Sequence, residues 1–140
     1  MEIREISFEE VEEVLALWQS VEGTGLDRDI DNKERIALYL RRNPGLSLAA
    51  LENGRIVGAV LCGHDGRRGY MHHLSVAGPH RGKGIGRTLV EKAISRLRLL
   101  GLRKCHVFVF EQNVDARRFW RSIGWTERTD LVIMSCGITL

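Results

Sequence analysis

The chain has 140 residues, 44% of them hydrophobic and 28% charged, with a formal net charge of +3. That length suits one domain, residues 1–140, around a single core. So small a positive balance offers no field for nucleic acid, and no apolar run approaches a membrane span. Cys62, Cys105 and Cys136 are isolated in apolar stretches, an odd set without metal-ligand spacing. They read as free thiols in a reducing compartment. The first residues lack a signal-peptide pattern, so the expected location is cytoplasmic.

Residues 2–6 suit a short first strand. Ser7 and Glu10 form the Ser-x-x-Glu start of a helix whose apolar face is Phe8, Val11, Leu15 and Trp18. A glycine-containing loop follows at 22–26, then a second helix over 31–42 with Ile36 and Leu40 stacked, ended by Asn43-Pro44-Gly45. Residues 46–52 and 55–62 read as strands joined by Asn53-Gly54, a strong hairpin signal. A polar turn at 64–69 leads to a strand over 70–76. A third helix extends to about Leu100, with Ile85, Leu89, Ala93, Leu97 and Leu100 as its buried stripe and Gly101 as its cap. Residues 104–110 form a strand, Asn113 starts a last helix stopped by Gly124, and 131–138 suit a final strand. The expected fold is mixed α/β: a mostly antiparallel sheet with one parallel strand–helix–strand unit and helices on both faces.

The most informative stretch is the turn before the third helix. Arg81, Gly82, Lys83, Gly84, Ile85, Gly86 and Arg87 make it basic and glycine-rich. Backbone N–H groups at the positive end of a helix dipole hold phosphates. It is not a P-loop, because Arg87 follows Gly86 where Lys-Ser/Thr is needed. It is not a dinucleotide fingerprint, because the last glycine spacing is wrong and hairpin strands precede it. A kinase loop joins two strands, whereas a helix follows here. A glycine turn with no ligand is the remaining alternative on these residues alone.

The pattern Leu74-x-Val76-x-x-x-x-Arg81-Gly82-x-Gly84-Ile85-Gly86 resembles the acyl-CoA-binding motif of the GCN5-related N-acetyltransferases. A second stretch, Asn113-x-x-Ala116-x-x-Phe119-Trp120-x-x-x-Gly124-Trp125, resembles that family's Asn-x-x-Ala-x-x-Phe-Tyr-x-x-x-Gly-Phe helix. The order of predicted elements matches as well, so the resemblance covers nearly the whole chain. It implies the fold of that family and transfer of an acetyl group from acetyl-CoA to a primary amine by direct attack in a ternary complex. The alternative is a non-catalytic acyl-CoA-binding or sensing module of the same fold. No metal is implied.

By this resemblance, Leu74, Ser75 and Val76 would hold the pantetheine arm and the acyl carbonyl. The pyrophosphate would rest on the N–H groups from Gly82 through Lys83, Gly84 and Ile85 to Gly86, with Thr88 as a hydroxyl donor and Arg81, Lys83 and Arg87 adding charge. Asn113 would meet the pantetheine amide on a helix shaped by Ala116 and Phe119. Arg117, Arg118 and Arg121 would reach the 3′-phosphate or form a solvated face. The amine site would lie near residues 22–31, which carry Glu22, Asp27, Asp29 and Asp31, and near 64–68. Dimerisation is common in the family, and the C-terminal strand is the contact a homodimer would use.

The chemistry needs an oxyanion donor and a way to remove the amine proton. A lysine with pKa about 10.4 is only ~0.04% neutral at pH 7, so such an acceptor depends on a base. His72 and His73 are candidates, and their adjacency in a strand would point them to opposite faces. Glu111 is a weaker one. A zinc site from His64, His72, His73 and His80 lacks a ligand pattern. Trp120 stands where the family has a tyrosine acid, and indole cannot supply a proton. Tyr70 or a water would replace it, and the thiol, with pKa about 8.5, is a fair leaving group without one.

Overall fold

A computed structural model describes residues 1–138. The elements are β1 (Glu2–Glu5), α1 (Val11–Ser20), α2 (Lys33–Arg42), β2 (Leu48–Glu52), β3 (Arg55–His64), β4 (Gly69–Val76), α3 (Ile85–Leu99), β5 (Cys105–Val107) and α4 (Val114–Ser122). Short 3-10 turns occupy Phe8–Glu10 and Gly78–His80. Two compact units divide the chain, Met1–Phe108 and Val109–Leu140. No helix among the described residues is long and apolar enough to cross a membrane.

The first unit is built on a sheet ordered β1-β2-β3-β4-β5. Its first three pairings are antiparallel and β4–β5 is parallel, as α3 between them requires. The mixed sheet expected from the sequence is therefore present. Asn53 and Gly54 both adopt positive φ, 51° and 76°, which fits the two-residue β2–β3 hairpin. The first helix starts where Glu10 accepts from the Ser7 N–H (2.9 Å) and the Ser7 hydroxyl (3.0 Å). Arg4 grips the same carboxylate through two 2.7 Å bonds and holds its pKa below the ordinary glutamate range. β1 is thus tied to the start of α1.

Helices cover both faces of the sheet. Val11, Val14, Leu15 and Trp18 of α1 and Ile36 and Leu40 of α2 share one core with Ala49, Leu51, Ala59 and Leu61. The alternate residue Gly58 faces α3, where an added Cβ would meet Ile85 Cγ2 at 3.1 Å and Leu89 Cδ1 at 3.3 Å. α3 buries Ile85, Leu89, Val90, Ala93 and Leu97, and its end is closed by Leu102 N–H to Leu97 O (3.2 Å) and Gly101 N–H to Arg98 O (2.9 Å).

Four expectations need correction. Phe8 lies in the 3-10 turn before α1, is 50% exposed, and stacks under the Arg41 guanidinium at 5.8 Å. Leu100 falls past the end of α3 and is exposed. β5 spans three residues, Cys105–Val107, and leaves β4 after pairing with Gly69 to Met71. Residues 131–138 carry no strand and are exposed. Their composition favours a pleated, half-buried surface, which is a matter of having neighbours more than of intrinsic backbone preference.

Gly63 lets α2 approach β3. A Cβ there would collide with the Tyr39 hydroxyl and lie 2.7 Å from the Asn43 amide. Asn43 cannot step aside freely, because it donates to Tyr39 O (3.3 Å) and accepts from His64 N–H (3.1 Å). Gly63→Ala is expected to destabilise the protein by about 1–3 kcal/mol in urea unfolding. A variant as stable as the wild type would contradict this packing.

Candidate active site

The site grows from an irregularity in β4. Ala59 pairs with Ser75 and Leu61 pairs with His72, so His73 and Leu74 together oppose Val60. This is a β-bulge, and His73 sits in it with φ of 56°, a left-handed conformation rare for a non-glycine residue. The bulge overturns the alternation expected of adjacent strand residues. The His72 and His73 rings lie only 6.1 Å apart.

Their surroundings differ. His72 is half-buried between Tyr39 of α2, edge-on at 6.3 Å, and Phe108 at 6.1 Å. Burial lowers its pKa below the ordinary histidine value; the neighbouring His73 adds to this and Asp31 opposes it. Burial likewise raises the Tyr39 hydroxyl, so that phenol stays protonated. In contrast, both His73 ring nitrogens are engaged: Nδ1 lies 3.2 Å from Thr24 O and Nε2 lies 2.9 Å from Asp31 Oδ1. The Trp18 ring lies against the His73 ring, centroids 5.2 Å apart and tilted by 56°.

Beyond the bulge, β4 loses its neighbour. The parallel register with β5 ends at Met71↔Val107, while β4 continues to Val76. Among the described residues, no strand pairs with the β5-side edge of residues 72–76. The candidate residues Leu74, Ser75 and Val76 therefore lie along an open sheet edge. Tyr70 stands just before it, packed against His106 (5.6 Å) and Phe108 (6.2 Å).

That edge leads into the glycine-rich turn. Gly82 and Gly84 have φ of 78° and 81°, which a residue with a Cβ adopts only at a cost. Gly84 is the N-cap of α3, so the N–H groups of Ile85, Gly86 and Arg87 lack intrahelical partners. A Cβ at Gly82 or Gly84 would meet nothing within 4 Å, so the turn is open on its outer side. Open, anion-seeking N–H groups beside exposed Lys83 fit a phosphate-bearing ligand.

The charged neighbours have other duties. Arg81 Nε donates to Val76 O (3.0 Å), which ties the turn to the end of β4. Arg87 pairs with Glu91 at 2.8 Å. Thr88, expected to donate its hydroxyl to pyrophosphate, instead gives that proton to Gly84 O (2.8 Å). Such a bond to the backbone four residues earlier is a common local use of a helical Thr hydroxyl.

The second unit holds the other motif. Asn113 caps α4, accepting from the Ala116 N–H at 3.1 Å. Trp120 is 7% exposed and packs between Phe119 (5.4 Å) and Trp125 (4.5 Å). Arg117 grips Glu127 through bonds of 2.8 and 3.1 Å and donates to Glu111 O (2.9 Å). Arg121 shares Glu127 at 3.4 Å, and Arg118 lies 3.9 Å from Asp115. This pattern matches an ion-paired, solvated helix face. Among the described residues, no group of three His, Cys, Asp or Glu side chains is placed to hold a metal ion; His64 Nδ1 accepts from Gly66 N–H instead.

Sequence reasoning missed Tyr39 as a neighbour of His72 and Asp31 as the partner of His73. Both come from elements distant in the chain, and only the fold brings them to β4.

Comparison with known proteins places this architecture. The model of the Acetyltransferase (GNAT) family matches residues 8–125. An acetyltransferase of Pectobacterium atrosepticum is 35% identical over 144 aligned residues, covering 100% of this chain and 93% of its own length. The chain belongs to the GNAT acetyltransferase family. Solved structures agree on the fold. An aminoglycoside 6′-N-acetyltransferase from Acinetobacter haemolyticus superposes with a TM-score of 0.81 at 18% identity, covering 99% of this chain and all of its own. The PaiA N-acetyltransferase from Thermoplasma acidophilum, solved with coenzyme A, gives 0.79 at 20% identity over 89% of each chain.

The lowered pKa of His72 has a consequence for stability. Its neutral form is favoured in the folded state, so the unfolded chain takes up that proton first as pH falls. Stability should begin to drop below about pH 6.5, the ordinary histidine value, and keep dropping until the folded-state pKa is passed. In His72→Gln that acid-side loss should be smaller. Identical pH dependence of Tm in both proteins would contradict the buried, neutral His72.

Proposed function

We propose that this protein transfers an acetyl group from acetyl-CoA to a primary amine, with residues 1–140 acting as one catalytic domain. The observation that carries this reading is the continuous path from the open edge of β4 to the N-terminus of α3. An extended amide-containing arm can pair with residues 72–76 as an added strand would. A pyrophosphate then falls on the N–H groups of Gly82 to Gly86, and the GNAT relationship supports coenzyme A as that ligand. When bound, acetyl-CoA supplies the activated acyl carbonyl.

The chain's own residues do the rest. Ala77 donates its N–H to Val57 O on β3, so by strand alternation the N–H groups of Val76 and Leu74, and not that of Ser75, are the open-edge donors toward the developing carbonyl oxyanion; one such preorganised donor is worth about 10²–10³ in rate. His72, held neutral in its half-buried position, is the base that takes the amine proton. Tyr70 is the candidate hydroxyl for the departing thiolate, which needs little help at a thiol pKa of about 8.5. Trp120 packs where that acid would otherwise stand in the motif, and this favours a second reading, a coenzyme-binding module without turnover.

One assay separates the two. Purified protein with acetyl-CoA and a panel of primary amines should release free thiol only when an amine is present. His72→Gln should lower that rate ~100-fold or more, and the rate of the wild type should fall in acid below the ordinary histidine range. Gly84→Val should lose both turnover and the rise in Tm caused by acetyl-CoA, because a β-branched residue resists φ of 81°. Coenzyme binding without amine-dependent thiol release would favour the module. No effect of acetyl-CoA on Tm would sink both readings.

A further inference from the structure

The two adjacent histidines differ in one respect that donor counting makes clear. Both partners of His73 are acceptors: the Thr24 carbonyl at Nδ1 and the Asp31 carboxylate at Nε2. A neutral imidazole has one N–H and satisfies one of them; only the imidazolium satisfies both. Water does little for Asp31. Its side chain is 5% exposed, and Oδ2 already accepts from the Asp27 N–H at 2.9 Å. A buried carboxylate needs its partners, and the Trp18 ring, tilted 56° to the His73 ring with centroids 5.2 Å apart, is within cation–π reach of it.

We propose that His73 and Asp31 form a staple, with His73 a positioning residue that carries both ring protons and fixes residues 24–31 against the β4 bulge beside His72. The titratable groups facing His73 are Asp31 from the segment before α2 and His72 from its own strand. The left-handed backbone at His73 is what turns its ring toward residues separated from it by 42 and 49 positions in sequence. The staple divides the labour: His72 stays neutral and free to exchange a proton, while His73 is committed at both nitrogens. Its place in catalysis rests on the acetyltransferase reading; the staple itself does not.

The test needs no acceptor amine. Nitrogen-15 spectra of the histidine rings should show His73 protonated at both nitrogens at neutral pH and His72 as a single neutral tautomer. Two variants then probe the wall. Asp31→Asn keeps the shape but removes the negative charge that holds the second ring proton, and His73→Asn keeps a residue that tolerates positive φ while removing the second nitrogen. Each should speed amide hydrogen exchange in residues 24–31 by ~10-fold or more while α3 keeps its protection, and the double variant should add little. Asp31→Asn should retain the wild-type Tm rise with acetyl-CoA. A His73 ring with a single proton, or unchanged exchange in 24–31, overturns the staple. If His73→Asn does not fold, the wild-type ring spectrum and Asp31→Asn still decide. An acetyl-CoA effect absent from the wild type sinks the enzymatic reading and leaves the staple standing.

Discussion

The extra residue in β4 is the constraint on which the site depends. Opposing His73 and Leu74 to the single residue Val60 breaks the strand's two-residue alternation. It brings two histidine rings together where a regular strand would part them. It also coincides with the end of the β4–β5 ladder at Met71, beyond which an edge lies open. A left-handed histidine costs roughly 1–2 kcal/mol of backbone strain. The bonds to Asp31 and Thr24 and the tilted contact with Trp18 are what hold it there. Local strain of this kind, over-determined by its surroundings, is common at functional sites.

The glycine-rich turn is the second half of the same construction. Arg81 binds it to the last carbonyl of β4, and Gly58 lets α3 sit close over β3. The anion-seeking end of α3 is thereby fixed in line with the open strand edge. One end of the path suits an extended amide arm and the other suits phosphates. The basic side chains contribute less than their number suggests, since Arg81 and Arg87 are engaged within the protein. In the proposed reading, backbone geometry, more than side-chain charge, makes the phosphate cradle.

What could be read from the sequence follows from which forces act locally. Asn53-Gly54, the Ser7–Glu10 start, Gly101 and the glycine turn are short-range signals, and each appears where expected. The mixed character of the sheet was legible too, because hairpins pair antiparallel and a strand–helix–strand unit pairs parallel. The bulge was not. His73 is a candidate base by residue type, but nothing in sequence marks its left-handed conformation, which depends on Asp31 and Thr24, brought to it only by the tertiary fold. Residues 131–138 failed for the converse reason: β-branched composition was visible, but the missing ladder partner was not. Thr88 and the arginines of α4 read in sequence as ligand contacts, the arginines with a solvated face as their alternative; Thr88 bonds Gly84 O, and Arg117 and Arg118 pair with Glu127 and Asp115.

The central claim is that coenzyme A lies along the open β4 edge and ends on the first turn of α3. A titration of nitrogen-15-labelled protein with coenzyme A, followed by backbone amide spectra, tests it most directly. The account predicts saturable shifts at Ser75 and Val76 and at Gly82, Gly84, Ile85, Gly86 and Arg87, with the β1–β2 side of the sheet unmoved. Shifts confined to other surfaces, or none at saturating coenzyme, would contradict it.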